Sequence, residues 1–271
     1  MLGHDVLRAA ERAGVEAHGV THAELDITDA GAVAAMIAGL APGVIINCAA
    51  WTDVDGAEDH ENDAFLINAT GAKVLAESGT RVIQVSTDYV FAGDKPSAYV
   101  ESDPVDPQSA YGRTKLAGDE AVLAANPMNS VARTAWLFGT DGNNFVETML
   151  RLAADRGAVS VVDDQLGCPT FTGHLADALV ELAGNPDAGG IHHLAGAGEV
   201  TWFGFAKQIF EATNTPCDLT PTTSDQFVRP AKRPANSVLA VTRDDTPRLP
   251  DWQTGLSDYI AARAATTGGT S

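Results

Sequence analysis

Three side chains in this 271-residue sequence have the types and spacing of a proton-donating apparatus: Thr87, Tyr111 and Lys115. Ser86, Thr87 and Asp88 close an apolar run, Val82 to Val85, that reads as a buried strand. Tyr111 and Lys115 stand four residues apart in a helical stretch, so their side chains share a face. A Lys115 ammonium beside the Tyr111 phenol favours the ionised form and is expected to bring a pKa of about 10 down towards neutrality. That acidity suits a general acid/base working on a carbonyl. A bare Tyr-x-x-x-Lys is more often a surface tyrosine and a solvated lysine on an amphipathic helix. The hydroxyl at a strand end upstream reverses those odds.

Bringing a strand end and a helix start together calls for parallel strands alternating with helices, and the pattern supplies them. Leu2 to Arg12 reads as a helix and Glu16 to Val20 as a strand. A helix capped by Thr28 and Asp29 runs to Leu40, and Val44 to Asn47 reads as a fully buried strand. Glu61 to Ser78 reads as one long helix ended by Gly79, and Arg81 to Val85 as a strand. Pro107 to Ala125 is the helix carrying Tyr111 and Lys115; Ser130 to Thr134 is a strand and Phe145 to Asp155 a helix. The implied fold class is α/β, a doubly wound parallel sheet with ligands at the carboxyl ends of its strands.

Beyond about residue 155 the pattern loosens. Strands at Val159 to Val162 and Gly190 to Leu194 flank a helix at Leu175 to Leu182, and a further helix covers Phe203 to Ala212. Thr213 to Asn236, rich in Thr and Pro, is expected to form loops over a cleft, and Leu256 to Ala264 a closing helix before a frayed end. The expected division is one domain over residues 1–155 and a smaller lobe over 156–271, with segments of the two interleaved.

A net charge of −19, from 17 basic and 36 acidic residues, argues against nucleic acid as a partner, because that binding rests on Lys and Arg neutralising phosphates. No apolar run approaches the roughly 20 residues that cross a bilayer, and the start lacks the basic-then-apolar order of a signal peptide. Cys48, Cys168 and Cys217 are odd in number and scattered, which reads as reduced thiols in the cytoplasm. Against this acidic background Arg229, Lys232 and Arg233 stand out. Pro230 and Pro234 stiffen their loop, favouring a guanidinium clamp for phosphate over a solvated loop with local ion pairs. His192 and His193 lack ligand-like company and read as core or surface residues. Asp53, Asp55 and Glu58 read as a solvated acidic edge; no metal ligand is assigned.

Nine blocks carry a resemblance that runs nearly end to end: LDITD (25–29), NCAAWTDVDGAE (47–58), NATG (68–71), STDYVF (86–91), YGRTKLAG (111–118), RTAWLFG (133–139), GNNF (142–145), DQLGCPT (164–170) and RPAKRPANS (229–237). Together they resemble the extended short-chain dehydrogenase/reductases, and closely the dTDP-4-dehydrorhamnose reductases. The Asn-x-Ala-Ala and Tyr-x-x-x-Lys elements are shared across the superfamily and indicate only a nicotinamide enzyme. The STDYVF, RTAW and DQLGCPT blocks are more selective and point to the 4-keto-sugar branch.

The resemblance implies a Rossmann-like domain with a substrate-binding lobe, NADPH as cofactor, and reduction of dTDP-4-dehydro-β-L-rhamnose to dTDP-L-rhamnose. In that scheme Tyr111 protonates the nascent alkoxide, Lys115 holds the nicotinamide ribose and tunes Tyr111, and Thr87 bonds the carbonyl oxygen. It assigns Met1, Leu2, Gly3, Asp26, Ile27, Ala50, Trp51, Thr52 and Asn68, with Tyr111 and Lys115, to the cofactor. Thr87, Asp88, Trp136, Gln165, Arg229 and Arg233 fall to the sugar nucleotide. Trp136 could instead fill the core, Asp26 could cap the following helix, and Asn68 could bond locally as readily as hold a water. NADH stands as the alternative cofactor. Magnesium-linked dimers occur in parts of the family, but no ligand set carries over, and a homodimer stays open.

One departure stands out. Gly3 matches the third glycine of the family's Gly-x-x-Gly-x-x-Gly turn, while the first two glycines and the strand before them do not precede it. The expectation is that Met1 is an internal methionine of a longer gene, with a genuine short form, poorly stable and a weak holder of NADPH, as the alternative. Two other functions remain beside the reductase: an epimerase or reductase for another nucleotide sugar, and a regulatory subunit that keeps the fold without the chemistry.

Overall fold

The structure, a computed structural model, describes residues 1–267. Helix α1 (Leu2–Arg12) opens the chain, and the Asp29 carboxylate accepts from the N–H groups of Gly31 and Ala32 to start α2 (Ala30–Leu40). Strand β1 (Val44–Asn47) is followed by α3 (Gly56–Asp59) and α4 (Glu61–Phe65), which runs through a π-helical turn (Leu66–Gly71) into α5 (Ala72–Ala76). Strand β2 (Arg81–Thr87) leads through a single 3-10 turn (Asp88–Val90) towards α6 (Ala110–Ala125). Then come β3 (Ser130–Thr134), β4 (Leu137–Phe138), α7 (Phe145–Arg156), β5 (Ala158–Val162), β6 (Leu166–Gly167), β7 (Thr170–Phe171) and α8 (Thr172–Gly184). The order closes with β8 (Gly190–His193), β9 (Val200–Thr201), α9 (Trp202–Ala212), β10 (Asp218–Thr222) and α10 (Trp252–Thr267).

The central sheet is four parallel strands in the order β1-β2-β3-β8. Alternation along β2 sends Ile83 and Val85 to one face, where they pack with Leu2, Val6 and Ala9 of α1 and Leu175, Leu179 and Leu182 of α8. Val82 points to the other, against Val33, Ala72, Leu75 and Val122 from α2, α5 and α6. Helices on both faces of a parallel sheet make a doubly wound layer. A second apolar cluster joins α7, α9 and α10 around Phe138, Phe205 and Tyr259. Both β8 and α8, which lie beyond residue 155, return to the central layer.

Several expected elements differ. Glu16 to Val20 forms no strand and lies exposed, because β1 is the outer strand of the sheet and nothing in this stretch hydrogen-bonds to it. For the same reason Val44, Ile45 and Ile46 are half-buried rather than fully buried. The long helix of residues 61–78 is interrupted by its π-helical turn. The region 213–236 is not all loop: β10 pairs in parallel with β5. The closing helix extends through Thr267, and the rest of the end read as frayed, 268–271, lies outside the described residues.

Candidate active site

Strand β2 delivers Thr87 to the carboxyl edge of the sheet, in register with Thr134 of β3. Its hydroxyl donates to Asp88 Oδ1 at 3.0 Å and accepts from the Tyr89 N–H at 3.2 Å. Helix α6 starts over this edge because the Ser109 hydroxyl accepts from the Gly112 N–H at 3.1 Å. Its first turn carries Tyr111, half-buried, hydrogen-bonded to the Thr87 side chain and set edge-on to Tyr89 with ring centroids 5.7 Å apart. Thr87 and Tyr111 therefore come together as expected.

Lys115 differs from the expectation. Its buried ammonium donates to the Val85 carbonyl at 2.6 Å, one turn of strand below Thr87. Burial pushes the Tyr111 phenol up, and Asp88 and Asp119 push the same way; Thr87 alone opposes them. The lysine thus does not bring Tyr111 towards neutrality here. Burial likewise pushes Lys115 down, opposed by Asp119. The Asp88 carboxyl, buried among Thr87, Ser237 and the Tyr89 backbone, is pushed up to about 6 by desolvation.

Past the end of β1, Ala50, Trp51 and Thr52 turn over the site, and the Trp51 ring packs with Tyr111, Ala57, Ala64 and Ala110. Asn68 in the π-helical turn spends its side chain on the Trp51 backbone and on α6. Its Oδ1 accepts from the Trp51 N–H at 2.9 Å, and its Nδ2 donates to the Trp51 carbonyl at 3.3 Å and to the Thr114 hydroxyl at 3.0 Å. It fixes the backbone of the Ala50–Thr52 turn against α6. Asp26 is exposed and accepts from the Thr28 N–H and hydroxyl, which hold its carboxyl below the ordinary range; Asp29, not Asp26, caps α2. Ile27 packs in the cluster under α5. At the start of α1, Leu2 is buried against α8, Met1 lies by Gly139, and Gly3 faces open space.

On the opposite wall Trp136 follows β3 with φ +49° and stacks flat on Trp202, ring centroids 3.5 Å apart and planes 4° from parallel. Gly167 passes so close to this indole that a Cβ there would collide with it. Trp136 is therefore part of a built aromatic wall, in which Trp202 carried no signal in the sequence. Gln165 is committed elsewhere: its Nε2 donates to Ser224 Oγ at 2.8 Å.

The basic loop reaches across the mouth of the site. Arg229 Nη1 and Arg233 Nη2 lie 3.2 and 3.0 Å from Asp55 Oδ2, and the Ala231 N–H donates to Asp55 Oδ1 at 3.2 Å. The Arg233 guanidinium sits 5.9 Å from the centroid of Tyr89, the ring that abuts Tyr111. Asp55 was expected to be solvated; it is half-buried and stands where an anionic oxygen would sit between two guanidinium groups. Lys232 is turned away, to Gln108. His192 and His193 are buried and bonded to Thr246 and the Ala240 carbonyl. Among the described residues no three His, Cys, Asp or Glu side chains converge as metal ligands, and no helix is long and apolar enough to cross a membrane.

The chain is similar to known proteins over nearly its whole length. A relative from Streptomyces antibioticus, a probable dTDP-4,6-dihydroxy-2-methyloxan-3-one 4-ketoreductase, is 42% identical over 95% of this chain and 90% of its own. The dTDP-4-dehydrorhamnose reductase of Mycobacterium tuberculosis is 44% identical over 98% of this chain and 91% of its own. The crystal structure of dTDP-4-dehydrorhamnose reductase from Bacillus anthracis, in complex with NADP, superposes with a TM-score of 0.93 at 34% identity, covering 96% of this chain and 95% of that one. The profile of the RmlD substrate binding domain matches residues 1–265, and the chain belongs to that family.

Proposed function

We propose that the protein reduces the 4-keto group of dTDP-4-dehydro-β-L-rhamnose with NADPH, giving dTDP-L-rhamnose and NADP⁺. The observation that carries this reading is the Thr87–Tyr111 pair at the carboxyl end of β2, with Lys115 anchored beside it on the Val85 carbonyl. The cofactor, when bound, supplies the hydride that reaches C4. Tyr111 gives its phenolic proton to the oxygen as charge develops there, and the Thr87 hydroxyl, turning from Asp88, donates its one hydrogen bond to the same oxygen. Lys115 spends one of its three ammonium protons on Val85, which leaves two N–H donors for a ribose diol. That donor set fits a nicotinamide ribose, and the small Ala49 and Ala50 after β1 allow close approach of a flat ring. Asp26 and Ile27 serve the adenine end, and Met1 to Gly3, at the start of α1, the phosphates.

For the sugar nucleotide, Trp136 supplies an apolar wall for the 6-deoxy ring, Thr87 and Asp88 contact its oxygens, and Arg229 and Arg233 take the diphosphate. Gln165 acts through the loop of Ser224 that it ties down. Unbridged cysteines and a reductant of this type favour work in the cytoplasm.

The test follows NADPH consumption with two substrates, dTDP-4-dehydro-β-L-rhamnose and a dTDP-4-keto sugar lacking the 2-hydroxyl, for the parent and for Tyr111→Phe. The expected result is turnover of the first substrate and a loss of about 10²–10⁴-fold in the variant. Preference for the dideoxy sugar would move the substrate assignment towards the chemistry of the Streptomyces relative. Turnover unchanged in the variant would remove Tyr111 as the acid, and no turnover of either sugar by the parent would favour a regulatory subunit.

A further inference from the structure

Behind the catalytic pair lies a charged cluster that the reaction scheme does not use. Asp119 sits four residues after Lys115 and eight after Tyr111, on the same face of α6. Ser86, the neighbour of Thr87, donates its hydroxyl to Asp119 Oδ2 at 2.7 Å. Arg133, the residue paired with Ser86 across β2 and β3, brings Nε to 3.7 Å from the same oxygen. Adjacent strands of the sheet thus grip one carboxylate of the helix, one residue before Thr87 and Thr134. Asp119, Lys115 and Arg133 are only 1%, 2% and 2% exposed.

The contact is not that of a bridge built for stability. An arginine serving that purpose closes on its carboxylate through two N–H groups. Here Asp119 Oδ1 and Arg133 Nε and Nη1 have no hydrogen-bond partner in the protein. The carboxylate instead faces the Arg133 guanidinium at 3.7 Å and, one helical turn from Lys115, is the foremost charge keeping that ammonium protonated against desolvation. A buried ammonium without such a partner loses its proton.

We propose that Asp119 is a positioning residue for the reductase reaction, clasped by Ser86 and Arg133 so that its charge, one helical turn from Lys115, supports the ammonium held on the Val85 carbonyl at the end of β2. The proposal rests on the reductase reading given above. Asp119 acts on Lys115 and Tyr111 and touches neither sugar nor cofactor. The titratable groups facing the cluster are Lys115 and Tyr111 on its own helix, Arg133 on β3, Cys48 after β1, Asp88 in the turn after β2, and Glu101 and His193 beyond Arg133. The π-helical turn packed on α6 presents uncharged Asn68 and Ala69. Asp119 itself is pushed up to about 6 by burial, so its charge is present at neutral pH and lost on acidification.

The experiment is the pH profile of kcat for the full-length protein with NADPH and keto-sugar, for the parent, Asp119→Asn, Asp119→Glu and Ser86→Ala, with thermal unfolding measured alongside. In Asp119→Asn the ammonium loses its counter-charge and gives up its proton sooner. The basic limb of the profile should move to lower pH by about 1–3 units, and Asp119→Glu should restore it. In Ser86→Ala the carboxylate loses a donor, so the acid limb should move to higher pH. A purely structural role would lower the unfolding temperature and leave both limbs where they are in the parent; that outcome overturns the proposal. Should Asp119→Asn fail to fold, the acid limb of Ser86→Ala decides alone. Tyr111→Phe run in parallel separates the two levels. Full turnover in that variant sinks the reductase mechanism, whereas loss there with a parental profile in Asp119→Asn and Ser86→Ala sinks only the positioning role.

Discussion

Two glycine-to-alanine substitutions inside helices should have opposite signs, and the difference follows from what each Cβ would meet. At Gly118 in α6 the new methyl would point at the backbone carbonyl oxygen of Asn68, far inside the 3.0 Å that real Cβ contacts respect. Neither side can yield cheaply. Asn68 is buried, in a π-helical turn, and its side chain holds both backbone groups of Trp51. Overpacking of this kind costs about 1–3 kcal/mol, and the gain in helix propensity of about 1 kcal/mol offsets only part of it. The strain would also shift α6 relative to the Trp51 turn, and with it Tyr111. At Gly39 in α2 nothing lies within 4 Å, so only the propensity gain remains. Each kcal/mol is worth about 2–4 °C in a chain of this size. Calorimetry should therefore find Gly118→Ala lower by up to about 8 °C and Gly39→Ala level or higher by up to about 4 °C. The steady-state assay should find reduced kcat only in Gly118→Ala. If Gly118→Ala unfolds at the parental temperature with parental turnover, the tight contact between α6 and the π-helical turn is not there, and the positioning argument for Tyr111 falls with it.

The clasp of Arg229 and Arg233 on Asp55 makes that carboxylate a competitor for the substrate diphosphate. Asp55→Asn removes about 1 kcal/mol of competition, so KM for the sugar nucleotide should fall roughly fivefold at unchanged kcat. A higher KM would mean that Asp55 holds the arginines in place for the diphosphate. Asp88 offers a stability test with a defined sign. Its folded pKa of about 6 lies above the ordinary 3.8, so its contribution is full at acid pH and is lost as pH rises through about 6. Asp88→Asn should therefore gain stability on the parent as pH rises from about 4 to about 6 and hold that gain above it, by at most about 3 kcal/mol in chemical or thermal unfolding. Parallel curves for the two proteins would show that Asp88 is not buried as a charge.

What the sequence disclosed was local. Thr87 could be read from an apolar run ending in hydroxyls, and Tyr111 from its four-residue spacing to Lys115 in a helical stretch, because each signal lies within a few residues of the group it places. The contacts that escaped are long in sequence or fall on backbone atoms. Asp55 and Arg229 are 174 positions apart, and neither has a neighbour that hints at the other. Trp202 lies on Trp136 only because β6 pairs with β9 and brings the start of α9 to the wall. Asn68 spends its amide on the backbone of Trp51, which has no side-chain signature. Strand β10 escaped because Asp218 to Thr222 alternates weakly and pairs only with β5. Glu16 to Val20 failed in the other direction: strand propensity without a partner to bond yields no strand.

The raised pKa of Tyr111 looks at first like a loss of function, since the Tyr–Lys spacing suggested a phenol near neutrality. Reduction asks something else of the group. A general acid must carry its proton in the ground state and release it when a stronger base appears, and an alkoxide forming at C4 is a stronger base than a phenolate. Burial keeps the proton on Tyr111, and Asp88 and Asp119 reinforce this, with the Thr87 side chain alone opposing them. The reverse oxidation would need that phenolate beforehand, at the full cost of a buried anion. The same low-dielectric setting that holds Lys115 on the Val85 carbonyl therefore biases the site towards giving a proton rather than taking one.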